Sequence, residues 1–332
     1  MAPEQSGRFQ LRYAGPNVRF PPIADVKPGC DTVGLMLKIL LALLVTLLLP
    51  VASSAQQHAD PKYAPQMARP AYGGAGPIVV VDDSHDNFHT LEGKYAPFGE
   101  LLAADGYRPR SATQHFSALS LQEVDILVIA NARSSAPGLS AFGQEEITAI
   151  GNWVKKGGSL LLISDHAPFG TAASRLAEAF GVNMGVGFVV ARTGGRISSQ
   201  ILFRKEDLGE HPILDGRNQS ERVHSVESFT GQSLSVPPGA VALLGLPRDA
   251  LEVETSVDAG ELIRGGRVLA RSVAGRAQAV AFMFGKGRVV MAGDAAMFTE
   301  QVIPGLGRVG LRDHDNQQFA LNVIHWLSRL IG

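Results

Sequence analysis

The sequence predicts an α/β protein, a parallel sheet covered by helices on both faces and followed by a β-rich C-terminal half. Three observations predict it. Short runs that are apolar but for Asp125 recur at Pro77–Val81, Asp125–Ala130 and Leu160–Ile163, as buried parallel strands require. Segments with helical spacing of apolar residues separate them. After Gly181 the pattern changes to short β-branched runs set between Gly and Pro.

The chain has 332 residues, with 30 Lys and Arg against 31 Asp and Glu, and this balance leaves no basic footprint for nucleic acid. Residues 1–35 carry Gly15-Pro16-Asn17 and Pro21-Pro22 and show no folding period, so they are not expected in the mature protein. Met36-Leu37-Lys38, the apolar run Ile39–Leu49 and Val51-Ala52-Ser53-Ser54-Ala55 have the layout of a secretory signal peptide over 36–55. Met36 is then the start, cleavage follows Ala55, and the protein is exported to the periplasm or medium. The other reading is an uncleaved N-terminal anchor. In either case the membrane is met only through this segment, because the apolar run is shorter than the ~20 residues of a confident span. The single cysteine, Cys30, precedes Met36, so a mature chain would hold no thiol, which excludes disulfides, thiolate metal sites and a cysteine nucleophile. Residues 56–76, rich in Pro, Ala, Gly and Gln, read as a linker.

The folded body is expected over 77–332. Its first strand ends in Asp82-Asp83-Ser84-His85-Asp86-Asn87-Phe88-His89. Tyr95–Ala104 reads as a helix stopped by Gly106, and Tyr107–Ala112 as an edge strand. Asp125–Ala130 is the next strand, ending in Asn131-Ala132-Arg133. From Gln144 to Lys156, Ile147, Ile150, Trp153 and Val154 share a helical face, Lys155 and Lys156 occupy the last turn, and Gly157-Gly158 ends it. The strand that follows stops at Ser164-Asp165-His166, just before a helix over Thr171–Phe180. Later strands are expected at Val186–Ala191, Ile201–Phe203, Val223–Phe229, Val241–Leu244, Val268–Ser272 and Gln278–Phe284. Gly285-Lys286-Gly287 then turns into Arg288–Ala292. A last helix begins near Asp313-His314-Asp315-Asn316.

Several pieces in this order resemble the class I glutamine amidotransferase-like superfamily. They are Asp125–Ile129, Trp153–Ile163, His211-Pro212-Ile213, Gly287–Asp294 and Asp315-Asn316 with Asn322–Leu327. The resemblance is to an uncharacterised exported branch, distantly similar to trehalose-utilisation (ThuA-like) proteins, and covers about Pro77 to Ile331. It implies a flavodoxin-like fold. It also marks the turn after Ile163 as the place of a nucleophilic cysteine, where this chain has Asp165-His166. Glutamine hydrolysis through a thioester is therefore excluded, and the fold supplies no function in its place.

Right-handed crossovers bring the carboxyl ends of parallel strands to one sheet edge, where such folds bind ligands. The candidate catalytic residues there are Asp165, His166, Asp83 and His85, as orienter and general base. The candidate metal ligands are His85, His89, His166, Asp294 and His314, whose types suit a divalent cation able to activate water. His85 and His89, four residues apart, would share one face of a helical turn. The structural alternative is that these Asp and Asn residues cap helices. His325 reads as a packed or surface histidine, His211 as a turn residue, and His58 and His115 carry no case. No GxSxG or P-loop is present. Two functions stay open. One is an exported hydrolase with an Asp/His site, with or without metal. The other is a non-catalytic periplasmic or envelope-associated module holding a small-molecule or carbohydrate-like ligand, a class suggested by compartment and distant relatives.

Overall fold

The computed structural model describes residues 57–303 and 307–332, all within one compact unit, Ser54–Gly332. The expected export signal over 36–55 and the stretch before it lie outside the described residues. Among the described residues no helix is long and apolar enough to cross a membrane.

The chain opens with β1 (His58–Ala59), then β2 (Ile78–Asp82), α1 (Ala96–Ala104), β3 (Arg108–Ala112) and β4 (Ile126–Ala130). Next come α2 (Gln144–Lys156), β5 (Ser159–Ile163) and α3 (Phe169–Glu178). The second half holds β6 (Phe188–Thr193), β7 (Arg196–Ser198), β8 (Gln200–Phe203), α4 (Pro212–Asp215), β9 (Val226–Phe229), β10 (Val241–Gly245) and β11 (Leu251–Val253). It ends with α5 (Ser256–Ile263), β12 (Arg271–Ser272), β13 (Ala277–Phe284), β14 (Gly287–Ala292), β15 (Glu300–Ile303), β16 (Gly307–Gly310) and α6 (Asn316–Leu327).

The main sheet has seven strands in the order β10-β13-β14-β5-β4-β2-β3. It is mixed, and this corrects the expectation of a purely parallel sheet. The pairs from β14 through β3 are parallel, whereas the β13–β14 hairpin and the β10 edge are antiparallel. The two-residue turn Gly285-Lys286 forces the reversal, since two residues cannot make a parallel crossover. Ala130 pairs with Ile163 and Ile163 with Ala292, so the carboxyl ends of β4, β5 and β14 are level. Val81 pairs with Val128, which brings the end of β2 beside them.

Alternation along these strands feeds two apolar clusters. Val79, Val81, Val128, Leu161 and Val290 join Phe98 of α1 and Phe319 of α6. Leu127, Ile129, Leu160, Leu162 and Met291 join Ile147 of α2 and Leu176 of α3. The second half adds a four-stranded sheet, β12-β11-β6-β7, and the β8–β9 pair, and its β15 and β16 join β1 in a three-stranded sheet, β1-β15-β16.

Residues 57–76 do not behave as the linker their composition suggested. β1 pairs with β15, the buried Tyr63 donates its hydroxyl to Gln317 Oε1 at 2.9 Å, and buried Asp60 pairs with Arg308 at 2.7 Å and Arg312 at 3.2 Å. The segment is held by a few specific side chains rather than by a periodic apolar face, so composition alone did not reveal it.

Candidate functional site

The ends of β2, β4, β5 and β14 carry Asp82, Asn131, Ser164-Asp165 and Gly293-Asp294. Asn131 is the link between them. Its φ of 47° is in the left-handed region, which asparagine tolerates better than most residues. Its Oδ1 accepts the Asp165 N–H at 2.8 Å, while its Nδ2 donates to Asp165 Oδ2 at 2.6 Å and faces His89 Nδ1 at 3.2 Å. The other Asp165 oxygen, Oδ1, accepts the Ala295 N–H at 2.6 Å. Both carboxylate oxygens of Asp165 are therefore engaged in joining loops.

The amide donor of Asn131 fixes the histidine tautomer: His89 Nδ1 must accept, so the proton sits on Nε2. That Nε2 is buried and has no partner among the described residues. The His89 ring lies between Phe88 and Tyr95, with centroids 5.2 and 4.8 Å away. Burial, and then the Lys94 and Arg133 charges, lower its pKa to about 3, so His89 is neutral at physiological pH.

Asp294 is fully buried. Its Oδ2 accepts the Met297 N–H at 3.0 Å, and Oδ1 makes no hydrogen bond among the described residues. Burial first, and then the neighbouring Asp165, raise its pKa well above the ordinary carboxylate range; the N–H groups of Met297, Phe229 and Ala296 oppose this only in part. The Asp165 carboxyl is also raised, by burial, against the opposing His166, Asn131 and Ala295. Asp294, whose buried Oδ1 accepts no hydrogen bond among the described residues while both Asp165 oxygens do, is the member of the pair that keeps a proton.

His166 is held at one nitrogen and one ring face. Its Nδ1 donates to the Ala167 carbonyl at 2.8 Å and its ring stacks on Phe188 with centroids 3.8 Å apart. Its Nε2 makes no hydrogen bond among the described residues. His89, Asp165 and His166 line one cleft of about 480 Å³. Phe88, Phe169 and Phe229 supply apolar wall, and Ser199, Gln200 and Thr230 supply polar groups. Lys94 sits over the Phe88 ring at 3.3 Å and Arg133 lies 5.0 Å from the same ring. A larger groove of about 700 Å³ runs over Gly185 and Leu269, but its buried carboxylate, Glu252, is already paired with Arg271.

The other expected residues lie elsewhere. Residues 83–90 form no helix, so His85 and His89 share no helical face. His85 instead enters a separate network. Its Nδ1 meets Asp82 Oδ2 at 2.8 Å, its Nε2 meets Glu146 Oε1 at 3.1 Å, and its ring packs on Phe142 and Phe116. Burial lowers its pKa, but the Asp82 hydrogen bond and the Asp82 and Glu146 charges outweigh this and raise it. Asp83 is half-buried and its N–H extends the β2–β3 pairing by donating to Ala112 O at 2.8 Å; burial, then Glu92 and Asp82, raise its carboxyl pKa. His314 is partly exposed and lies 3.8 Å from Glu227. The five expected metal ligands therefore do not converge. His325 is fully buried and pairs with Asp105 at 2.6 Å, far from a surface role.

Asn131, His115 and Glu146 were missed as functional candidates. Asn131 had a signal, since it ends a buried strand. Glu146 stands in the first turn of α2, where an acid is ordinary and where it accepts the Gly143 N–H at 3.2 Å. His115 stands in a loop with no local pattern.

No curated protein matches the sequence. Among solved structures the chain is similar to one titled "mmIFT52 N-terminal domain", at 15% identity and a TM-score of 0.55, over 76% of this chain and 97% of that one. It is also similar to a putative ThuA-like protein from Bacteroides uniformis, at 12% identity and a TM-score of 0.41, over 80% and 94% of the two chains. A second putative ThuA-like protein, from Parabacteroides merdae, matches at 10% identity and 0.41, over 76% and 90%. At these identities the first likeness speaks to fold alone. A family model described as a domain of unknown function matches residues 95–324, most of the chain, which therefore belongs to the DUF4350 family.

Proposed function

We propose that this protein is an exported, non-catalytic binding module for a small, neutral, hydroxyl-rich ligand of the carbohydrate type. In this reading the body is a flavodoxin-like, amidotransferase-like fold with helices on both faces of its sheet, and the strand-end cleft has kept its pocket without its chemistry. One observation carries the reading. At the turn after β5, both oxygens of Asp165 are consumed by Asn131 and Ala295, and His166 is tied to Ala167 and stacked on Phe188. Asp165 therefore has no free oxygen to orient a base, and among the described residues no hydroxyl or thiol nucleophile is hydrogen-bonded to His166 Nε2, as a base that takes its proton would require. What the cleft does offer is recognition. His89 Nε2–H is a buried donor, His166 Nε2 is an acceptor, Gln200 and Thr230 add polar groups, and Phe88 and Phe169 form an apolar face. A few placed polar groups on an apolar wall are the usual make-up of a small-ligand pocket.

The test is calorimetric titration of mono- and disaccharides into the purified protein, with product analysis of the same mixtures. Saturable one-site binding with no product is expected. Ser199→Trp, which fills the cleft, should weaken it at least tenfold. Unchanged binding in Ser199→Trp would place the ligand elsewhere. Steady consumption of the sugar, lost in His166→Ala, would return the site to the hydrolase reading.

A further inference from the structure

We propose that His85 Nε2, His115 Nδ1 and Glu146 form a three-ligand site for a divalent transition ion, with zinc favoured by the donor types. The site stands apart from the cleft and does not depend on the reading given for it.

The three donor groups come from the loop after β2, the loop after β3 and the first turn of α2. Their ligand atoms all lie within 4.8 Å of one another. His85 Nε2 is 3.1 Å from Glu146 Oε1, and His115 Nδ1 is 3.2 Å from Glu146 Oε2. Zinc holds nitrogen and oxygen at about 2.0–2.2 Å with tetrahedral angles, so its ligand atoms stand roughly 3.3 Å apart. The two separations to Glu146 are already near this, and the two imidazole nitrogens, at most 4.8 Å apart, would close on the ion through the exposed His115 side chain.

Hydrogen-bond logic points the same way. Asp82 Oδ2 takes the Nδ1 proton of His85, and Asp82 is itself held by Ser84 N–H at 3.0 Å and Asn87 Nδ2 at 3.1 Å. In the neutral ring this leaves a lone pair on Nε2, aimed at a carboxylate oxygen that is also an acceptor. Two acceptors at 3.1 Å in a buried position require a positive centre between them, either a proton or a metal ion. A carboxylate that orients a metal-binding histidine through its other nitrogen is the common outer-sphere arrangement at such sites. Glu146 is fixed as well. The Phe116 N–H reaches Oε1 at 2.9 Å and the Gly143 N–H reaches Oε2 at 3.2 Å, and each oxygen keeps a second lone pair for the ion. The His115 side chain is 66% exposed and borders an open groove of about 720 Å³, so an ion can enter and a water can complete four-coordination.

The experiment uses untagged protein, stripped with EDTA and desalted, titrated calorimetrically with zinc chloride. One ion per chain is expected, and substitution by cobalt(II) should give visible bands of a four- or five-coordinate centre. His115→Ala removes one ligand without touching the core and should weaken zinc binding at least tenfold and abolish the bands. His314→Ala, which alters a histidine outside the cluster, should bind as the parent does. The proposal is overturned if the parent binds no stoichiometric zinc, if His115→Ala binds as tightly as the parent, or if His314→Ala is the variant that loses the ion.

Discussion

Replacing His89 by glutamine should change how the stability of this protein depends on pH. The imidazole is 2% exposed and carries no proton on Nδ1, which accepts from Asn131, and its pKa of about 3 lies well below the 6.5 of a free histidine. Between those two values the unfolded chain binds a proton that the folded chain does not. Stability therefore rises with pH across that window, and the contribution is lost as pH falls from about 6.5 toward 3. At pH 4.5 the unfolded state gains about 1.36 kcal/mol for each of roughly two pH units, on the order of 3 kcal/mol. Set against a total stability of ~5–15 kcal/mol, this is large enough to measure. Glutamine keeps an acceptor for Asn131 and cannot titrate. It loses ring packing against Phe88 and Tyr95, a cost of about 1–3 kcal/mol that does not vary with pH. Urea denaturation of both proteins at pH 7.5, 5.5 and 4.5 reads the difference. The variant should be the weaker protein at pH 7.5, and the gap should close by about 2–3 kcal/mol at pH 4.5. Parallel curves would mean that His89 titrates normally, and that the burial and tautomer argued for it are wrong.

Two further substitutions test the buried charges. Asp294 is fully buried with its carboxyl pKa raised, so between 3.8 and its folded value the native state holds a proton the unfolded state lacks, and stability falls as pH rises through that window. Asp294→Asn should accordingly raise the Tm at pH 7.5 and leave it unraised at pH 4, as a thermal scan would show; an unchanged Tm at both would contradict the pairing with Asp165. Asp105→Ala should cost about 3–5 kcal/mol in urea denaturation, because it strands the buried His325 and frees the Ala71 N–H that Asp105 holds at 2.7 Å. A loss below about 1 kcal/mol would show that the pair contributes little beyond what replacing it by packing would supply.

The parts of the fold that were legible in the sequence are those where a local pattern and a tertiary environment agree. Ile126–Ala130 and Ser159–Ile163 are buried at every position, and an unbroken apolar run is what such a strand must have. The face of α2 formed by Ile147, Ile150 and Val154 is buried as its spacing requires. β15 and β16 had no such signal. Glu300 and Gln301 are buried polar residues in β15, and β16 ends on Gly310, whose φ of 132° and close approach to the Thr299 carbonyl exclude a side chain. A strand whose buried positions are polar or glycine leaves no periodic apolar trace.

The same distinction explains the site. Parallel register makes the meeting of the strand ends predictable, and with it the neighbourhood of Asp165 and Asp294. It does not say which atom of a loop residue reaches which. His85 and His89 are four residues apart, yet they belong to different networks. Asn131 claims one at Nδ1, and Asp82 with Glu146 takes both nitrogens of the other. The chain between them has no regular structure, so spacing carries no angular information. His115 and Glu146 are 31 positions apart and their contact is set by how the β3–β4 loop lies across the start of α2. For loops the chemistry is written in three-dimensional donor and acceptor matching: a histidine whose Nδ1 proton is already claimed by Asp82, facing a carboxylate already oriented by two backbone N–H groups, asks for a positive centre, a proton or a metal ion, whatever its neighbours in sequence.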